Sequence, residues 1–212
     1  METITLFSIL AAGLAIGLGS IGSAIGEGFI AMKAVEALGR QPNASGKLIR
    51  VMIVGQAVTE AAAIFALVVS LILVFYTPEA GESIYKGYYL LSAGLAIGLG
   101  TIGAGLGGGL PGGSCMEGIG RQPENSDILT IQMIVGQAVT QTSSIFALTV
   151  SLILLSIDPS NDIVKVFAVV GGGLAMGLGA IGPGIGDGLV AKNANLAVGK
   201  NPRQMGLLTR TM

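Results

Sequence analysis

Glu60 is the single charge in an apolar run that extends from Val51 to Tyr76. A carboxylate held at that depth in hydrocarbon costs about 2.5–3.5 kcal/mol on insertion scales. Chains carry such a cost when the acid binds or relays an ion, so Glu60 points to uptake and release of a small cation. Three further polar residues belong with it: Glu27 on an earlier Gly-rich run, and Gln56 and Thr59 in the turn before Glu60. Glu27 precedes Arg40 by thirteen positions, and Glu60 follows Pro42 by eighteen. On two antiparallel helices joined at that turn, the carboxylates fall at comparable depth and are expected to meet.

Other chemistry is poorly served by these residues. The chain has no His, and its one Cys, Cys115, permits no internal disulfide and argues against a zinc site. Gly17-Leu-Gly-Ser-Ile-Gly22 matches the GxGxxG pattern, but a dinucleotide site needs it between a strand and a helix. Here it lies inside an apolar run and recurs three times, which predicts close helix packing. No P-loop is present, and a net charge of −1 gives no reason to expect nucleic acid.

The elements that must position Glu60 follow from composition. Hydrophobic residues make up 51% of the 212, charged residues 11%, and the mean hydropathy is +0.78. Ordinary soluble domains carry about 25% charged residues, so an integral membrane protein is expected. Most of the 35 Gly residues sit within the apolar runs. Small residues there let helix backbones approach closely, so van der Waals packing holds a bundle together in lipid. The N-terminus carries Glu2 and no basic stretch, so the first apolar run is expected to be retained rather than cleaved as a signal peptide.

Internal repeats organise the chain. Ala15-Ile-Gly-Leu-Gly-Ser-Ile-Gly22 recurs as Ala96-Ile-Gly-Leu-Gly-Thr-Ile-Gly103 and as Ala175-Met-Gly-Leu-Gly-Ala-Ile-Gly182. Polar turns recur in step at Gly39-Arg-Gln-Pro42, Gly120-Arg-Gln-Pro123 and Gly199-Lys-Asn-Pro202. Arg40 and Arg121 are 81 positions apart, and Arg121 and Lys200 are 79 apart. Membrane helices are expected at 5–38, 51–76, 85–119, 128–157 and 163–198, with Pro42 and Pro123 at helix stops. The fold expected is an all-α membrane protein of tandem transmembrane helical hairpins: five helices, with the third hairpin incomplete. Residues 1–80 form hairpin one, 81–160 hairpin two, and 161–212 the inner helix and turn of the third. Lys33, Arg40, Lys47 and Arg50 crowd the first turn, and Lys192, Lys200, Arg203 and Arg210 the third. The positive-inside rule then places these turns in the cytoplasm.

The combination of Ile21-Gly-Ser-Ala-Ile-Gly-Glu-Gly28, the Arg-Gln-Pro turn and Gly55-Gln-Ala-Val-Thr-Glu60 resembles the c-subunit, the proteolipid of rotary F-type and V-type ATP synthases. The resemblance covers essentially the whole chain, as a fused multi-hairpin form. It implies a homo- or hetero-oligomeric rotor ring (a c-ring) in the plasma membrane of a prokaryote, non-catalytic itself, with the a-subunit, the central stalk and membrane lipids as partners. It implies that Glu60 carries Na+ or H+, with no organic cofactor. It also implies that Arg40, Gln41 and Pro42, with Arg121, Gln122 and Pro123, form the stalk-contacting turns.

The copies differ from one another. Gln141 replaces the carboxylate in hairpin two, Gly108 stands at the Glu27 position, and Asp187 holds that position in the third unit. Ala61 and Ala62 follow Glu60, a protonic pattern, whereas Thr142 and Ser143 follow Gln141. Because family sites form between adjacent hairpins, the resemblance implies a set in which Glu27 and Glu60, beside Thr59, face Thr142 and the carbonyl of Val139. Such hard oxygens suit Na+, and H+ remains open beside it. Intramembrane repeats also occur in self-contained channels and secondary transporters, the competing class.

Overall fold

A computed structural model describes residues 1–212, and every regular element in it is helical. Helix α1 (Glu2–Arg40) is followed by α2 (Ser45–Val74), and the linker after α2 leads to α3 (Lys86–Arg121). The second outer helix is divided into α4 (Ser126–Thr140) and α5 (Thr142–Ser156), and the third inner helix into α6 (Ile163–Gly179) and α7 (Ile181–Lys200). A short α8 (Met205–Thr209) ends the order. Counting each divided pair as one, five segments are long and apolar enough to cross a membrane.

The helices stand in two layers. The inner layer is α1, α3 and α6–α7; the outer layer is α2 and α4–α5, each lying over the groove between two inner helices. Helix α3 sits in the middle, with 72% of its apolar window buried, against 22–39% for the other four spans. Only α3 is flanked on both sides, so the remaining apolar surface faces outward. Glycine makes the inner layer possible where backbones nearly touch. A Cβ on Gly22 would strike the backbone of Ile102, and one on Gly188 the backbone of Gly107. Gly22 closes the GxGxxG pattern, which therefore serves helix contact.

All three turns share one backbone solution. Gln41, Gln122 and Asn201 adopt φ between −135° and −142°, and each precedes a proline that opens a 3₁₀ turn. Proline excludes its predecessor from the helical region, so the inner helix stops there. Each of the three N–H groups still bonds back to the helix just ended. At the opposite end, buried Lys86 donates to the carbonyls of Leu155 at 2.9 Å and Ile157 at 3.0 Å. That satisfies orphan acceptors at the end of α5.

The two divided helices depart from the unbroken spans expected at 128–157 and 163–198, and each has a local cause. Pro183 has no N–H to offer the carbonyl of Gly179, and the interruption falls at Ala180. At Gln141, four hydroxyl side chains around the break are involved: Thr140, Thr142, Ser143 and Ser144 bond to the carbonyls of Gln137, Val139, Thr140 and Gln141. Back-bonding of this kind competes with the helix ladder.

Candidate functional site

Helix α2 holds Glu60 fifteen residues from Ser45 and fourteen from Val74, at its centre. At about 1.5 Å per residue the thirty residues span about 45 Å, the thickness of a bilayer with its headgroups. Glu60 therefore sits near the midplane. It is exposed on the chain's surface among the exposed apolar residues Ile53, Ala57 and Ile64.

Helix α1 brings Glu27 to the same level. Ser23, one turn before Glu27, donates its hydroxyl to the carbonyl of Thr59 at 3.1 Å. Gln56 donates to the carbonyl of Glu27 at 3.4 Å. These two cross-links set the register of α1 against α2 and bring Glu27 and Glu60 to one level of the membrane.

The other members of the expected ion set go elsewhere. Thr59 is buried; its hydroxyl donates to the carbonyl of Gly55 at 2.9 Å and lies 2.9 Å from Nε2 of Gln137. It belongs to the joint between hairpins rather than to the open face of Glu60. Thr142 donates to the carbonyl of Val139 at 2.8 Å, so those two oxygens do come together. They do so on the opposite flank of hairpin two: Thr142 lines a hollow of about 370 Å³ with Ala175, Met176, Gly179, Ala180 and Pro183 of the third unit. Asp187 lies one helical turn beyond Pro183 on α7.

The side chain that faces hairpin one is Gln141. Its Nε2 donates to the carbonyl of Val58 at 3.3 Å, and its Oε1 accepts the hydroxyl of Ser144 at 3.0 Å. The carboxylate position of a hairpin thus looks back to the preceding hairpin, not forward to the next. The expected grouping of Glu27 and Glu60 with Thr142 and Val139 is accordingly divided within one chain. The physical reason is the fixed hand of the helix: Gln141 and Thr142 are about 100° apart around the axis, so they serve opposite neighbours.

Gln137 is the residue that reading the sequence missed. Fully buried, its Nε2 lies 2.8 Å from the carbonyl of Gly55 and 3.1 Å from that of Gly108. It spans α2, α3 and α4 at the level of the lost carboxylate. Its signal was the recurrence in step of Gln56 and Gln137 within the Ile-Val-Gly-Gln-Ala-Val-Thr repeat. Nowhere do three or more His, Cys, Asp or Glu side chains converge.

At the turns, Arg40 and Arg121 are both exposed. Arg121 forms an ion pair with Glu117 on its own helix. The first and second turns are joined in space, since Lys47, at the start of α2, donates to the carbonyl of Pro123 at 3.0 Å.

A multi-pass helical membrane protein built of repeated hairpins, with paired acids at mid-membrane in one of them, is the class these features define. The family model for the ATP synthase C-subunit matches residues 10–73, 91–154 and 170–212, once for each unit, and the chain belongs to that family. The second ATP synthase c-subunit of Cereibacter sphaeroides is 48% identical over 80 residues, covering 38% of this chain and 96% of the relative. The chloroplastic ATP synthase c-subunit of Emiliania huxleyi is 51% identical over 74 residues, covering 35% of this chain and 90% of its own length. The ATP synthase c-subunit of Natranaerobius thermophilus is 49% identical over 74 residues, covering 35% and 85%. Each relative thus corresponds to about a third of the chain, as a fusion of several hairpins requires.

Proposed function

We propose that this chain is a fused rotor-ring proteolipid whose Glu60 takes up and releases H+ as the ring passes the a-subunit, coupling that transfer to ATP synthesis or hydrolysis. The observation that carries this reading is the placement of Glu60 at the centre of α2 on an outward, apolar face beside Glu27. An acid at mid-membrane that is reachable from the side can be loaded and unloaded only by a partner sliding past it. Glu27 shares the proton and keeps the pair from carrying two charges in lipid.

The choice of H+ over Na+ rests on what surrounds Glu60. Ala61 and Ala62 supply no hydroxyl, and the Thr142 and Val139 oxygens lie toward the third unit. Hairpin two carries no ion, because an amide at position 141 does not ionise. The ring therefore moves fewer ions per turn than it has hairpins. Each charge crossing 100 mV is worth about 2.3 kcal/mol, so fewer ions per ATP favour pumping against a steep gradient. The Arg40–Pro42 and Arg121–Pro123 turns face the central stalk from the cytoplasmic side.

Carbodiimide labelling of the purified ring tests the ion directly. Labelling at Glu60 should fall as pH rises and stay indifferent to millimolar Na+. Protection by Na+ would overturn the protonic reading and mean that a neighbouring copy brings hydroxyl and carbonyl oxygens to Glu60.

A further inference from the structure

Two hollows flank the first turn, and Lys47 and Arg50 line both of them. One, of about 290 Å³, is a cleft between the outer helices α2 and α4. The side chains of Lys47, Arg50, Ser126 and Thr130 line it together with the apolar Val54 and Ile131.

Its level in the membrane follows from helix length. About twenty residues span the hydrocarbon; centred on Glu60, they begin at about Arg50. Arg50 therefore stands at the edge of the headgroup layer, and Lys47 lies three residues beyond, roughly 4–5 Å into it. The cleft therefore has cationic groups at phosphate height and an apolar floor that continues into hydrocarbon. Ile131 is itself exposed, so the floor opens sideways to lipid.

The cations are available. The two ion pairs of the chain are Lys33–Glu36 and Arg121–Glu117, so the exposed guanidinium of Arg50 is unpaired. Lys47 is held across the cleft by its bond to the Pro123 carbonyl. One acid, Asp127, also lines the cleft, leaving one net positive charge. The arrangement is particular to hairpin one: at the repeat positions of Gly46, Lys47 and Arg50, hairpin two has Asp127, Ile128 and Ile131. In the third unit, Leu207 and Arg210 retain only one basic residue of the two.

We propose that this cleft binds one anionic phospholipid per chain, with its phosphate between Lys47 and Arg50 and an acyl chain along Val54 and Ile131. Basic pockets between membrane helices recognise acidic headgroups in this way. A soluble acidic partner would use the same charges but leave the apolar floor empty. The inference is independent of which ion Glu60 carries.

Native mass spectrometry tests it on the full assembled chain, delipidated in detergent and offered phosphatidylglycerol or phosphatidylcholine of the same acyl composition. Phosphatidylglycerol should be retained at one per chain and phosphatidylcholine lost. Lys47→Gln and Arg50→Gln should each weaken retention about fivefold, or about 1 kcal/mol per basic residue near the surface. Asp127→Asn should strengthen it. Raising the salt on the unmodified chain should weaken it too, since exposed charges are screened. Equal retention of both lipids, retention unmoved by salt, or retention unmoved in the Lys47→Gln, Arg50→Gln double variant would overturn the proposal. Displacement by millimolar inorganic phosphate would overturn it as well, by making the cleft a free-anion site.

Discussion

Hairpins one and two share a repeat, a turn and a depth in the membrane, yet they treat the same position in opposite ways. Helix α2 runs unbroken through Glu60 and presents it outward; the second outer helix is interrupted at Gln141, whose side chain is buried. The difference is one of donors and acceptors. An ionised carboxylate only accepts, whereas an amide offers both a donor and an acceptor. Gln141 can therefore donate to the Val58 carbonyl and accept from Ser144 at once. It behaves as a permanently protonated acid, closed into a joint. Glu60 has no such joint within the chain, and Glu27 stands where hairpin two has the buried Gly108, packed against Thr59 and Thr140. One hairpin leaves its acid at the surface, and its copy closes an amide into a joint.

The largest test of that contrast is Glu60→Gln. It should abolish ion-coupled ATP turnover and leave the ring intact on native gels, because the amide already stands at the same position in hairpin two. Gln141→Leu, by comparison, should preserve coupling and cost stability only. Retained coupling in Glu60→Gln would remove Glu60 from the mechanism.

Packing comes next. Gly22→Leu would drive a side chain into the Ile102 backbone. Overpacking in a close-packed core costs about 1–3 kcal/mol or more, so ring yield should collapse; the same change at Gly28, which has open space around it, should be tolerated. Equal yields from the two variants would contradict the inner-layer contact.

Gln137→Leu sharpens the comparison at the joint. It removes the contacts of Nε2 with the Gly55 and Gly108 carbonyls and the Thr59 hydroxyl, and a hydrogen bond contributes about 0.5–1.5 kcal/mol net. Thermal melting of the ring should drop while labelling of Glu60 is unchanged. A matched fall in labelling would tie Gln137 to the ion site instead.

Gln141→Glu asks whether hairpin two can be returned to service. The new acid would meet the Val58 carbonyl and so must hold a proton to stay in place. Carbodiimide should then mark two acids per chain at low pH. Loss of the second mark as pH rises, with a looser joint between hairpins, is the expected signature.

The smallest effect lies in the linker after α2. Tyr76 donates its phenol to Glu82. Desolvation first, and then that bond and the nearby acids, push the phenol above its ordinary value. A group raised in the folded state contributes stability below its unfolded value and loses it as pH rises through the folded one. Tyr76 should resist forming tyrosinate in an alkaline titration, and Glu82→Gln should advance it.

Much of this was legible before any coordinates. The apolar runs, the Gly-rich repeats and the Pro-terminated turns locate the spans, with ends shifted by up to six residues, the most at the start of α2. Glu60 at the middle of its helix and Glu27 opposite it were readable by counting from Pro42. The interruptions at Gln141 and Ala180 were not, because they arise from hydroxyl side chains and a proline competing for particular carbonyls.

Sequence by itself determined which stretches enter the membrane and at what depth each polar group lies. Hydrophobicity and the internally satisfied helix backbone are local properties, and the 1.5 Å rise converts position into depth. Only the tertiary structure decided which neighbour each flank of an outer helix meets. A repeat specifies the face of a helix but is silent on whether that face turns back or forward. Packing through Gly22, Gly105 and Gly188 settles it, turning Gln141 back to Val58 and Thr142 forward to the third unit.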